Sequence, residues 1–484
     1  MQPLKKCTFQ NDVAVLSEMT VFRMLDTLRP TSPGPDGLPT WFLKISAPSF
    51  CTPLTFLYNV SILMSFVPSQ WKNSSITPVP ETSRPIEFSD YRPISVTSIL
   101  ARILERFIVK LFFYPILNHP NYSHLFSDQF AFRPTGSTTA ALIKLVHLIS
   151  TLLKVYPYVH LIALDFSKAF DTVRHYTLLT KIAEMPLVDS IYNWLKNYLR
   201  GREHCTKFRG ETSLNAKINA SIVQGSGVGP VSYVLNASDL QTLLPDNHLN
   251  KYADDTYLAV PSKNSTSIDM EMKNIGDWAT QNNLKLNHSK SIEMIIHRPR
   301  SRTQGLESVA GTAGIKRVGQ MSILGVILKD DLSFEEHVNK IVAQSAQQMY
   351  ALRVLKSHGL QGHDLWDVTR SILLARMMYA SQAWFGLLKE SEAMRLQAIL
   401  KRAIKQGLLP KETKTFAEMC DIADKTLFKN IQANRHHVLY NLLPPIKLTP
   451  YSLRPRIHNR EIPAENDYIV RKKFVFRMIY KDIF

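Results

Sequence analysis

Cysteine is scarce in this chain. Cys7, Cys51, Cys205 and Cys420 are the four among 484 residues, and their wide scatter without a CxxC spacing indicates neither a zinc site nor a disulfide framework. Free thiols in a reducing compartment are expected. Long apolar runs are missing too. No stretch approaches the roughly 20 continuous apolar residues that span a bilayer, and the opening MQPLKKCTFQNDVAV has no apolar core of signal-peptide type. An intracellular protein without a membrane partner is expected. Acid is also in short supply. The 40 Asp and Glu against 58 Lys and Arg leave a formal net charge of +18, which favours a polyanionic partner. No Gly-Lys-Ser/Thr follows the one Gly-rich loop, Gln224 to Pro230, so a Walker-type NTPase is disfavoured. Internal repeats and low-complexity tracts are absent.

What is present is enough apolar material to fold: 45% of residues, the share of a globular chain, over a length that allows two or three domains. Val13, Leu16, Met19, Val21, Leu25 and Leu28 follow a helical period over 12–28. The Pro-Gly run Thr31 to Pro39 breaks it with a loop. Further helices are expected over 40–47, 51–66, 98–117, 275–286 and from Val231 to Leu244. The Ser/Thr cluster before position 139 can cap a helix running to about Lys154. From 335 to about 440 the pattern is mainly helical and basic.

Two stretches carry chemistry. In one, Tyr252-Ala253-Asp254-Asp255 joins the apolar runs Leu249 to Tyr252 and Tyr257 to Val260, the pattern of a hairpin. An Asp-Asp turn alone is commonplace, yet adjacent carboxylates repel unless a cation sits there. In the other, the apolar run Leu161 to Leu164 ends on Asp165. A strand-end aspartate beside such a hairpin forms a hard-oxygen cage suited to two Mg²⁺ ions, which can activate a primer 3′-hydroxyl and stabilise leaving pyrophosphate.

LDFSKAFDTV, SIVQGSGVGP and KYADDTYL, in that order, resemble the palm of a reverse transcriptase, most closely those of jockey-like non-LTR (LINE) retrotransposons. The resemblance implies an α/β (α+β) right-hand polymerase with fingers, an antiparallel palm sheet with helices, and a helical thumb. It implies RNA-directed DNA polymerase activity with two Mg²⁺ ions, for which Mn²⁺ can substitute. Asp165, Asp254, Asp255 and the backbone carbonyl of Phe166 would be the metal ligands, and Lys290, in the Asn287 to Ser291 turn, would assist the leaving pyrophosphate.

For the incoming nucleotide the resemblance points to Arg92 of YRPIS, Arg133 of SDQFAFRPTGST, Phe170, Gln224 and Gly225. Guanidinium suits phosphate, glycine allows close backbone approach, and the Phe170 ring would collide with a 2′-hydroxyl. The alternatives remain: a surface arginine at Arg92, a structural Arg133, core packing for Phe170. Leu324 and Gly325 match the primer grip, while Asp330-Asp331 reads as a turn and Asp171 as a structural cap or pair. One departure stands out. Where relatives commonly have Pro-Lys before the YRPIS strand, this chain has Pro80-Glu81, and a carboxylate there would repel a triphosphate unless Arg84 compensates.

The expected division is an N-terminal extension over 1–75, fingers and palm over 76–300, the end of the palm with the primer grip over 301–345, and a basic thumb with tail over 346–484. The partners implied are an RNA template, a DNA primer or target and dNTPs, in nucleus and cytoplasm. The N-terminal endonuclease of full-length relatives, a ribonuclease H domain and a Cys/His knuckle are not found, so a trans-acting endonuclease or a truncated reading frame is expected, with a natural C-terminus. The rival is a decayed or domesticated copy that binds RNA without catalysis.

Overall fold

The computed structural model describes residues 16–298, 309–447, 458–465 and 467–481. Cys7, Val13 and the basic tail from Leu453 to Ile457 lie outside the described residues. The fold is mixed α/β, with sheets that are largely antiparallel. The chain forms two compact units. One comprises the described residues of 1–127, 166–241 and 275–286; the other comprises those of 128–165, 242–274 and 287–484.

The first unit opens with helix Glu18–Asp26, capped by the Ser17 hydroxyl and burying Val21 and Leu25. Helices Thr40–Ile45 and Ala47–Leu63 follow. The Pro-Gly loop between the first two of these three helices is shaped by its neighbours. The Ser98 hydroxyl donates to Asp36 Oδ2 at 2.6 Å, and a Cβ on Gly34 would meet Ser98 Cα at 2.7 Å. Strands Asn73–Pro80 and Tyr91–Thr97 pair antiparallel, and Arg202–Phe208 adds in parallel to the first. The helix expected over 98–117 runs as Ile99–Ile108, a π-turn Val109–Phe113 and a last turn to Leu117.

Two helix expectations need correction. The helix assigned to 275–286 starts at Ile268 and ends at Gln281. Asn283 then adopts a left-handed φ of 59°, which stops a helix, and Lys285-Leu286 pair as a short strand with Phe166-Ser167. The helix assigned to 231–244 is Gly229–Asn236.

The second unit is built on a five-stranded sheet ordered Lys316–Arg317, Ile292–His297, Tyr158–Leu164, Asp255–Pro261, His248–Tyr252. Strand Tyr158–Leu164 is central, and Val159, His160, Leu161 and Ile162 are all buried, as expected of a strand covered on both faces. Helix Thr138–Val155 covers the sheet, with the Ser137 hydroxyl capping Ala140 N–H. Among the described residues it is the one helix long and apolar enough to cross a membrane, but Ala141, Leu145 and Ile149 bury it in the core. Beyond the sheet, helices Glu335–Ser357, Glu390–Lys405 and Phe416–Ala433 enclose Val338, Leu396, Leu400, Phe416 and Phe428. Arg395, Lys401, Arg402 and Lys405 stay on the exposed side of the second. Cys51, Cys205 and Cys420 are free thiols.

Candidate active site

The second unit carries the three aspartates. Strand Tyr158–Leu164 pairs with Asp255–Pro261 up to Leu164 opposite Thr256. Asp165 therefore follows the last paired residue of one strand, and Asp255 precedes the last paired residue of its neighbour. Both lie at the same sheet end. Asp254 lies in the two-residue turn that closes the hairpin between Tyr252 and Asp255. Asp165 and Asp254 are half-buried and Asp255 is exposed. Carboxylate oxygens are the donors Mg²⁺ and Mn²⁺ prefer, so the donor set fits. The side chains do not converge further: among the described residues no group of three or more His, Cys, Asp or Glu is placed to hold a metal ion.

Backbone contacts hold each aspartate. Asp165 N–H donates to Ser291 Oγ at 3.2 Å, and its carbonyl accepts Asn287 N–H at 2.8 Å. The Asn287 to Ser291 turn thus grips the Asp165 peptide from both sides and carries Lys290, which is exposed. In the hairpin, Ala253 has a φ of 56°, and Gln129, 2% exposed, reaches its peptide with both amide atoms. Arg133 turns back on this segment: Nη1 donates to Gln129 O at 3.3 Å. Burial lowers the Arg133 pKa to about 10, with Asp128 opposing the shift.

Leu324 and Gly325 form the two-residue turn between strands Gln320–Ile323 and Val326–Lys329. Their φ values are 46° and 87°, the doubly left-handed geometry of a tight hairpin. Tyr379 Oη donates to Leu324 O at 2.9 Å. Asp331 caps its own turn by accepting Ser333 N–H.

The first unit carries the other candidates. The side chain of Phe166 is buried and meets Trp278 edge-on. Phe170 is half-buried, with its ring stacked on Tyr233 at 4.5 Å. Gln224 Nε2 donates to Asp171 Oδ1 at 2.8 Å, and burial pushes the Asp171 carboxyl up. Gly225 needs its glycine: φ is 104°, and a Cβ would lie 2.3 Å from Ser95 O. The buried Glu105 carboxylate accepts the N–H groups of Gly227 and Val228. Those two donors are therefore given to a protein carboxylate and not held open for a phosphate. Arg92 Nε lies 2.8 Å from Glu81 Oε1, so the carboxylate expected to repel a triphosphate sits on the arginine expected to bind it.

Sequence reading missed Gln129, Ser291, Glu105, Tyr233 and Tyr379. One signal was available. Lys251 lies in the hairpin strand His248–Tyr252 directly before the Asp-Asp turn, and a lysine buried there requires a carboxylate partner; that partner is Asp128, at 2.9 Å.

The family described as reverse transcriptase (RNA-dependent DNA polymerase) matches residues 79–328, more than half of the 484-residue chain. The chain is 26% identical over 383 residues to the probable RNA-directed DNA polymerase from transposon X-element of Drosophila melanogaster, covering 76% of this chain and 41% of that protein. It is 25% identical over 397 residues to the RNA-directed DNA polymerase from mobile element jockey of the same organism, covering 78% and 42%. It spans about two fifths of the length of these relatives. Among solved structures, a telomerase from Candida tropicalis in complex with a telomeric RNA fragment aligns over 81% of this chain and 68% of that one, with a TM-score of 0.42 and 13% identity.

Proposed function

Since the chain belongs to the reverse transcriptase family, we propose that it is an RNA-directed DNA polymerase of the non-LTR retrotransposon type, joining dNTPs to a primer 3′-hydroxyl on an RNA template. The observation that supports this most is the register that brings Asp165, Asp254 and Asp255 to one end of one sheet. These carboxylates and the Phe166 carbonyl would hold two divalent cations. When bound, Mg²⁺ supplies Lewis-acid stabilisation of the attacking and leaving oxygens.

The chain's own residues do the rest. Lys290 offers a proton or positive charge to the leaving pyrophosphate. Arg92 and Arg133 bind triphosphate or template, Gln224 and Gly225 position sugar and base, and Phe170 excludes a 2′-hydroxyl. The Leu324-Gly325 turn holds the primer end. The exposed Arg395, Lys401, Arg402 and Lys405 suit a duplex backbone, where phosphate contacts supply most affinity.

Primer extension on an RNA template tests the reading. Asp165→Asn and Asp254→Asn each abolish extension while template binding stays near wild type. Extension at a near wild-type rate by either variant would remove the metal assignment. One observation favours the rival reading of a decayed or domesticated copy that binds RNA without catalysis: Glu81 already occupies Arg92.

A further inference from the structure

We infer that Gln129 is a positioning residue for the Asp254-Asp255 turn, a role that rests on the reading of those aspartates as metal ligands. Ala253 stands immediately before Asp254, so its backbone torsions set the direction of the Asp254 side chain. It occupies the left-handed region, with φ 56°, where a side chain other than glycine is disfavoured. Such a conformation persists only where its surroundings over-determine it. Here one amide does so. Gln129 Oε1 accepts Ala253 N–H at 3.0 Å, and Gln129 Nε2 donates to Ala253 O at 3.5 Å. The same Oε1 accepts Ala131 N–H at 3.0 Å.

The amide is itself immobilised. Lys251 N–H donates to Asp128 O at 2.7 Å, and Phe130 N–H donates to Lys251 O at 2.9 Å. Residues 128–130 thus run as a short parallel extension beside the hairpin strand, with Gln129 bridged to Lys251. The Lys251–Asp128 ion pair at 2.9 Å, with side chains 1% and 13% exposed, pins that extension. The Arg133 bond to Gln129 O adds a third restraint. Gln129 is 2% exposed. Its side-chain polar atoms are spent on Ala253 of the turn and on Ala131.

A carboxylate displaced by about 1 Å loses on the order of a hundredfold in a well-positioned reaction, which sets the scale of the expected effect. Gln129→Met keeps the length of the side chain and removes all three side-chain hydrogen bonds, two to Ala253 and one from Ala131. Gln129→Asn keeps the amide but falls one methylene short of Ala253. Both are assayed for single-nucleotide extension across a MgCl₂ titration, with primer–template affinity and thermal melting measured alongside. The expected result is a kcat lowered by about ten- to hundredfold, a higher MgCl₂ concentration at half-maximal rate, and dNTP KM and primer–template affinity close to wild type. A purely structural glutamine predicts a lowered melting temperature with the MgCl₂ dependence of the folded fraction unchanged, and that result overturns the inference. If Gln129→Met does not fold, Gln129→Asn decides by the same criterion. Asp254→Asn is run in parallel: normal extension there defeats the metal-site reading itself, whereas a dead Asp254→Asn beside a normal Gln129→Asn defeats the positioning role alone.

Discussion

Phe170 is the residue proposed to exclude a 2′-hydroxyl, and it is also packed. Its ring stacks on Tyr233, 1% exposed, with 22° between the planes, so its position is fixed from behind while the residue remains half-buried. An apolar ring offers a 2′-hydroxyl no hydrogen bond, so the proposed discrimination would rest on shape. Phe170→Val is expected to raise ribonucleotide kcat/KM far more than it lowers the deoxynucleotide value, with selectivity falling by more than about tenfold, or roughly 1.4 kcal/mol. Unchanged selectivity with a lower melting temperature would reduce Phe170 to core packing. Glu81 gives a second expectation at this scale. Its pair with Arg92 leaves 47% and 63% of the two side chains exposed, and exposed pairs contribute about 0–1 kcal/mol. Glu81→Gln is therefore expected to lower dNTP KM by no more than about fivefold, with kcat and primer affinity unchanged. A flat KM would show that Glu81 does not compete for Arg92.

Among the elements, strand Ile292–His297 ties the Lys290 turn to the central strand, and its polar interior has a pH signature. Glu293 is buried and receives His160 Nδ1 at 2.7 Å, Thr312 Oγ1 at 3.1 Å and Arg317 at 3.2 Å. Burial alone would raise this carboxyl, but these partners hold it at about 2, below the ordinary 4.5. A depressed folded-state pKa stabilises the fold above the unfolded value and loses that contribution as pH falls. Thermal melting from pH 7 to pH 2 is expected to show wild type exceeding Glu293→Gln by a constant margin down to about 4.5, then by a shrinking one towards 2. A margin independent of pH would mean that the charge of Glu293 contributes nothing. The Leu324-Gly325 turn shows the same economy of design. Two left-handed residues are held by the Tyr379 hydroxyl on Leu324 O, and the Tyr379 ring lies 3.4 Å from where a Gly325 Cβ would be.

For the whole molecule, the excess of 58 basic over 40 acidic residues makes ionic strength a test of the proposed template binding. Each phosphate contact releases a counterion, so affinity falls steeply with ionic strength. Raising salt from about 50 to about 200 mM is expected to weaken RNA-template binding by at least tenfold, on the order expected of several phosphate contacts, in a filter-binding or anisotropy titration. A response much flatter than that would mean that the basic surface is not the template surface. The chain passes between its two compact units five times, once between Asp165 and Phe166.

The sequence by itself determined the local features of the site. An apolar run ending in Asp165, two apolar runs around Tyr252 to Asp255, and a Ser/Thr cluster capping the helix from Thr138 are encoded by near neighbours and short periods, and the strands and the cap stand there. Helix ends at 268–281 and 229–236 escaped that reading because they depend on where later residues can leave the helix, as Asn283 does at φ 59°. Only the tertiary structure decided what holds the site. Gln129 and Ala253 are 124 positions apart, Ser291 and Asp165 are 126 apart, and Glu105 reaches Gly227 across 122. Such partners leave no periodic trace in the chain, since a buried amide or carboxylate is chosen by the one backbone group it must satisfy after folding. The pairing of Glu81 with Arg92 belongs to the same class: the sequence revealed an unusual acid, and the register Val79 opposite Arg92 brought it to that arginine.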